Sequence, residues 1–199
     1  MHRWAAAHVR EGRPTRLTAE EEGPVHGDMP DDADLVDWFR AGHAALVATL
    51  EAAPADLACW RFLPAPSPLA FWARRQAHET AVHRADAQVA AGAIDAVDQD
   101  FAVDGVDELL LGFYSRGRNR VQTDTPRVLA VAASDAEAAW LVHFGPDGVR
   151  AERGAGPADA RLRAPASDLY LGLWNRWPLP EPEGDAELLA IWRQQATVG

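Results

Sequence analysis

The sequence predicts an α+β chain in two parts, a helical N-terminal half and a smaller C-terminal half built on a sheet. Two observations carry this. Apolar residues recur at helical spacing through residues 31–92, whereas four short β-like runs separated by turn signals follow from residue 126 onward. The change of pattern falls just past the glycine at position 92. We place the boundary near residue 95, giving domains 1–95 and 96–199.

Taken in order, "MHRWAAAHVR" is helix-compatible but opens without an N-cap residue, so it reads as half a helix. From Glu11 to about Pro30, glycines, prolines and an acidic run read as a loop. "DDADLVDWFRAGHAALVATLEAAP" follows as an amphipathic helix, with Asp31 or Asp32 as cap and Leu35, Trp38, Phe39 and Leu46 on one stripe. Gly42 lies on the same stripe, where it allows a neighbouring helix to approach closely. Trp60, Phe62 and Leu63 are expected to fold over the end of the bundle. Ser67 then caps a helix whose first position is Pro68 and whose stop is Gly92.

In the second half, "DQDFAVDGVDELLLGFYSR" reads as one helix. The runs "PRVLAVAA", "AWLVHFG", "GVRAERG" and "ADARLRAP" read as strands of an antiparallel sheet, with Pro146-Asp147-Gly148 as one of its turns. Two helices, "ASDLYLGLWNRW" and "DAELLAIWRQQ", close the chain around the proline-rich "PLPEPEG".

The chain has 199 residues, net charge −11 and pI near 5.0. That balance argues against nucleic acid and anionic lipid as partners and toward a small molecule or another protein. A single cysteine, Cys59, excludes an intramolecular disulfide and a cysteine-built zinc site; a small buried hydrophobe is its expected role in a reducing cytoplasm. No signal peptide and no apolar run of the ~18 residues needed to span a bilayer is present. Neither the G-x-S-x-G elbow nor the phosphate-binding G-x-x-x-x-G-K-[ST] loop occurs.

The stretch that carries chemistry is "RRQAHETAVHRADA", residues 74–87. It nearly matches the zinc-protease pattern H-E-x-x-H, but His78 and His83 are five apart and diverge by roughly 140° on a helix. Glu79 and His83 are four apart and share a face, with Asp86 continuing the stripe. That pair suits chelation; it equally suits a solvated i,i+4 ladder running from Arg75. Arg116, Arg118 and Arg120 read as a solvated turn, and His8, His26, His43 and His143 have no ligand-spaced partner.

This stretch, together with "DLYLGLWNRW" and "GDAELLAIW", resembles the actinobacterial mycothiol-dependent maleylpyruvate isomerase family across nearly the whole chain. The resemblance implies a DinB-like helical bundle followed by a small α+β domain of the family's C-terminal type. It implies a divalent metal, commonly zinc, with Glu79 and His83 as two of its ligands and a third from an earlier helix. Arg176 matches the family's functional arginine, catalytic and cofactor-binding, placed to meet an anionic group of mycothiol or of a small electrophilic substrate. His78 is set aside as a ligand, being a packing residue or one that helps orient Glu79. Family members also carry an upstream W-T-x-x-D-L-x-A-H-L segment with the first helix and first ligand. Met1 falls after it, so about three of four helices are expected, His2 is a poor substitute ligand, and self-association through the open face follows. The activity implied is thiol transfer or cis–trans isomerisation. The rival reading is a non-catalytic small-ligand binder or degenerate partner of the same fold, its C-terminal domain resembling a sterol-carrier-like fold.

Overall fold

The computed structural model describes residues 1–116 and 120–196, so Arg118 lies outside the described residues. The chain divides into two compact units, Met1–Thr80 and the remainder from Ala81 on.

The first unit holds α1 (His2–Glu11), α2 (Ala19–His26), α3 (Leu35–Ala52) and the start of α4 (Pro68–Ala90). Alanine-rich α1 ends at Gly12, which takes the left-handed conformation at φ 56° that glycine adopts without penalty. Its buried face, with Trp4 and His8, packs under Trp60 and Trp72, whose indoles lie 5.9 and 5.2 Å from that of Trp4. Ser67 caps α4 as expected, its Oγ accepting from the Ala70 N–H at 3.1 Å.

One expectation in this unit needs correction. The segment read as a loop contains α2, because Thr18 and Glu21 form a reciprocal capping box that satisfies two orphan donors. Gly23 and Pro24 hid it. On the α3 stripe Gly42 and Leu46 are buried, while Leu35 and Phe39 are exposed. Gly42 does its expected work, since a Cβ there would meet Nη1 of Arg3 at 2.7 Å. Arg3 lies over the Trp38 ring at 3.9 Å and donates to the Trp38 carbonyl at 2.9 Å.

The second unit contains the rest of α4, α5 (Gln99–Asp107), β1 (Arg127–Ala133), β2 (Ala139–Phe144), β3 (Arg150–Arg153), β4 (Ala160–Ala164), α6 (Ala166–Leu173), β5 (Glu183–Gly184) and α7 (Glu187–Gln195). Asp98 caps α5 by accepting from Phe101 N–H, and the helix continues into a π-helical turn over Glu108–Phe113. The sheet order is β3-β2-β1-β4-β5.

The α+β class holds, but the sheet is mixed. β1 pairs antiparallel with β2 and parallel with β4, since the β2–β3 hairpin lies on one side of β1 and the chain returns on the other. Alternation sets the faces. Leu129 and Val131, Trp140 and Val142, and Leu162 point to one side and bury against Leu109, Leu110, Leu169, Leu188 and Trp192, whereas Arg161 and Arg163 point to the other. The short β5, inside the proline-rich connection, escaped the sequence reading because two residues carry no periodicity.

Candidate functional site

Helix α4 carries the acidic–histidine stretch. Within the first unit, the Glu79 side chain is half-buried at 21% exposure and accepts from Nη2 of the buried Arg75 at 2.9 Å. His78 is buried at 1% exposure. Thr80 Oγ1 donates to the Gln76 carbonyl at 2.7 Å, so the 3.0 Å bond between His2 Nε2 and that hydroxyl has the histidine as donor. Burial, then the nearby N-terminal amine, holds the His2 imidazole below its ordinary pKa. Gln76, on the same face a turn before Thr80, keeps Oε1 buried with no donor among the described residues. An unmet carbonyl of this kind costs about 1–3 kcal/mol and suits a ligand O–H or N–H.

In the second unit, His83 is exposed, its side chain at 58%, and its Nδ1 bonds Oδ2 of Asp86 at 2.9 Å. The other carboxylate oxygen of Asp86 accepts from Nε of Arg176 at 3.0 Å. Partial burial raises the Asp86 pKa, but hydrogen bonds from Arg176 and His83 outweigh it and hold the carboxyl below its usual value. Spacing along the helix had placed Asp86 on the stripe without a role. The signal was the H-x-x-D interval, which puts a carboxylate beside the ring one turn on.

Arg176 is presented by the end of α6. Asn175 takes φ 58°, its N–H bonds the Gly172 carbonyl at 2.9 Å, and the Arg176 N–H bonds the Leu171 carbonyl at 2.8 Å. This is the paired 6→1 and 5→2 closure that ends a helix in a left-handed residue. Asparagine tolerates it better than other non-glycine residues, and here its side chain also donates to the Ala196 carbonyl at 3.1 Å. Gly172 is required by packing: a Cβ there would stand 2.3 Å from Cγ of Leu179. Trp192 Nε1 closes the end by donating to the Leu173 carbonyl at 2.9 Å. The "LWNR" run therefore fixes where Arg176 starts, and Nη1 bonding the Trp174 carbonyl at 2.6 Å fixes its course.

The structure thus brings His83 and Arg176 together on Asp86, while Glu79 is taken up by Arg75. Glu79 and His83 have the donor chemistry of a borderline divalent ion, a carboxylate and an imidazole one turn apart on a helix. They are a partial set, for no group of three His, Cys, Asp or Glu side chains among the described residues is arranged to hold a metal. An open hollow of about 560 Å³ at the β1–β2 turn, lined by alanines with Glu137, Arg153 and Arg163, contains none of these residues. Cys59 is half-buried, and burial raises its thiol pKa, which fits an inert role. Arg116 and Arg120 are exposed.

A helix that carries acidic and histidine side chains is thus followed in the chain by a sheet-based unit in which the end of α6 presents an arginine. Residues 1–88 match the model of the mycothiol maleylpyruvate isomerase N-terminal domain, and residues 100–190 match that family's C-terminal domain. The chain belongs to the mycothiol maleylpyruvate isomerase family. A search of curated proteins finds no match. A solved structure described as a UbiJ-SCP2 ubiquinone synthesis protein is similar at 21% identity over 50% of this chain and 95% of its own; its TM-score of 0.32 is too low to carry an argument. No helix among the described residues is long and apolar enough to cross a membrane.

Proposed function

We propose that this chain is a metal- and mycothiol-dependent thiol transferase or cis–trans isomerase acting on a small electrophile of the maleylpyruvate kind in the cytoplasm. In this reading its domains meet near residue 95. Glu79 and His83 are metal donors and Arg176 is the anion-binding catalytic residue. When bound, a zinc ion lowers the pKa of a coordinated thiol, and the thiol supplies reversible addition to an activated double bond, which frees the carbon skeleton to rotate. The chain's own residues do the positioning. Arg176 orients a carboxylate of the substrate or the thiol through its planar fork, Asp86 holds that fork, and Arg75 holds Glu79.

The observation that supports this reading is that His83 and Arg176 share the two oxygens of one carboxylate in a chain of this family. The test is turnover of maleylpyruvate with zinc and mycothiol, followed by absorbance. Glu79→Gln and His83→Gln should abolish thiol-dependent turnover. Arg176→Lys loses a fork bonded to an anion, worth about 1.5–3 kcal/mol, so kcat/KM should fall roughly tenfold to a hundredfold. Turnover that needs no thiol, or that survives Arg176→Lys unchanged, refutes the assignment.

The α3 stripe adds an expectation of self-association. Leu35, Val36, Phe39 and Val47 are each exposed on this helix, and large apolar side chains held in water on one element favour association.

A further inference from the structure

Asp86 stands between the two side chains to which the proposed reading gives chemical work. Its Oδ2 lies 2.9 Å from Nδ1 of His83. A carboxylate only accepts, so the ring faces it as Nδ1–H, and in the neutral imidazole the lone pair then lies on Nε2. An exposed histidine in water samples both tautomers; here the carboxylate selects one. The other oxygen, Oδ1, takes the Nε–H of Arg176 at 3.0 Å, and Nη1 of the same guanidinium is taken by the Trp174 carbonyl at 2.6 Å. Two of its three nitrogens are thereby fixed, and among the described residues no acceptor engages Nη2. The backbone below is fixed too, by the left-handed Asn175 and the closing bonds to Leu171 and Gly172.

We infer that Asp86 is a positioning residue that uses one carboxylate for two tasks: it sets His83 in the tautomer whose Nε2 can ligate a cation, and it aims Nη2 of Arg176 at an anionic group of the bound reactant.

 Asp86 lies three residues from His83 but 90 from Arg176, so this carboxylate is what ties the orientation of one to that of the other. The inference rests on the reading given under Proposed function for what the two side chains do. The tautomer and the arginine bond are properties of the metal-free chain and can be read without it. A carboxylate beside a ligating histidine typically governs its affinity for metal by 10–100-fold.

The test uses ¹⁵N-labelled full-length protein without metal at pH 8, with the His83 signals identified by their loss in His83→Gln. Long-range ¹H–¹⁵N correlation should show Nδ1 protonated and Nε2 bare in the wild-type chain. In Asp86→Asn the amide can offer an N–H to the ring, so the proton should move to Nε2, and the Arg176 Nε–H should exchange faster with water. Zinc affinity, measured by competition with a chromophoric chelator, should fall by about 10–100-fold in the same variant. Asp86→Glu keeps a carboxylate and should keep the Nδ1–H signature, which separates this role from a general loss of fold. A wild-type His83 protonated mainly on Nε2, or a tautomer unchanged in Asp86→Asn, overturns the inference. If the wild-type chain binds no zinc yet shows the Nδ1–H form and loses it in Asp86→Asn, the positioning role stands and the metal reading falls.

Discussion

At the scale of single residues, His8 shows how a polar side chain becomes core. It is fully buried and stacks on Trp72 at 5.0 Å; Nδ1 bonds the Trp4 carbonyl at 2.9 Å and Nε2 meets the Leu17 N–H at 3.3 Å. The Leu17 N–H can only donate, so Nε2 is the acceptor and the ring is the neutral Nδ1–H tautomer. A second ring proton would oppose that N–H. Burial lowers the His8 pKa, the bond to Trp4 raises it in part, and Arg13 lowers it further. The folded value thus lies below the unfolded one of about 6.5, so there is no penalty above that pH. Below it, the unfolded chain takes up a proton that the folded chain resists, and stability falls with falling pH until the folded pKa is reached, by at most about 1.4 kcal/mol per pH unit. Urea melts between pH 7.5 and 5 should show this decline, and His8→Phe, which keeps the stack, should flatten part of it. An equal slope in the variant would remove His8 as the cause. Spacing gave no hint of this role, because nothing in a lone histidine tells a core position from a ligand.

At the scale of elements, the sequence was most legible where caps and stops are chemical. Ser67-Pro68 and Gly92 bracket α4. It was least legible where breaker residues mask a capping signal, as on α2, where Gly23 and Pro24 stand inside the helix that Thr18 and Glu21 cap. The end of α6 lies between these cases. Its "LWNR" run was tied to function by resemblance, yet the reason it delivers Arg176 is a left-handed Asn175 that no periodicity reveals. This gives a prediction. Asn175→Gly removes the side-chain bond to Ala196 but suits the backbone, and should cost under about 1 kcal/mol. Asn175→Val forces a β-branched residue into the left-handed region at about 1–3 kcal/mol and shifts the chain under Arg176. Thermal melts should rank wild type and Asn175→Gly together above Asn175→Val, with kcat/KM following the same order. A valine variant as stable and active as wild type would show that this turn does not set Arg176.

At the scale of the whole molecule, the two-part α+β order was legible because helical and strand periods occupy separate stretches of chain. The candidate site was half-legible. Glu79 and His83 share a helix and so share a spacing, whereas the Asp86–Arg176 bond joins positions 90 residues apart and leaves no local signature. The same division governs what metal should do to the chain. A pair of protein donors leaves water to fill the remaining positions of a four-coordinate zinc, so affinity should sit well below that of a closed site. Binding to the native state still stabilises it by mass action, about 2.7 kcal/mol at a zinc concentration one hundred times Kd. For a chain of this length that amounts to a rise in Tm of roughly 5–10 °C. We expect zinc to raise the Tm of the wild-type chain saturably, EDTA to reverse the rise, and His83→Gln and Glu79→Gln each to abolish it. Easy reversal is part of the expectation, because two donors hold a metal that a chelator removes quickly. If His83→Gln gains as much from zinc as the wild type does, the metal is held elsewhere, and the α4 pair is the solvated ladder that its spacing equally allows.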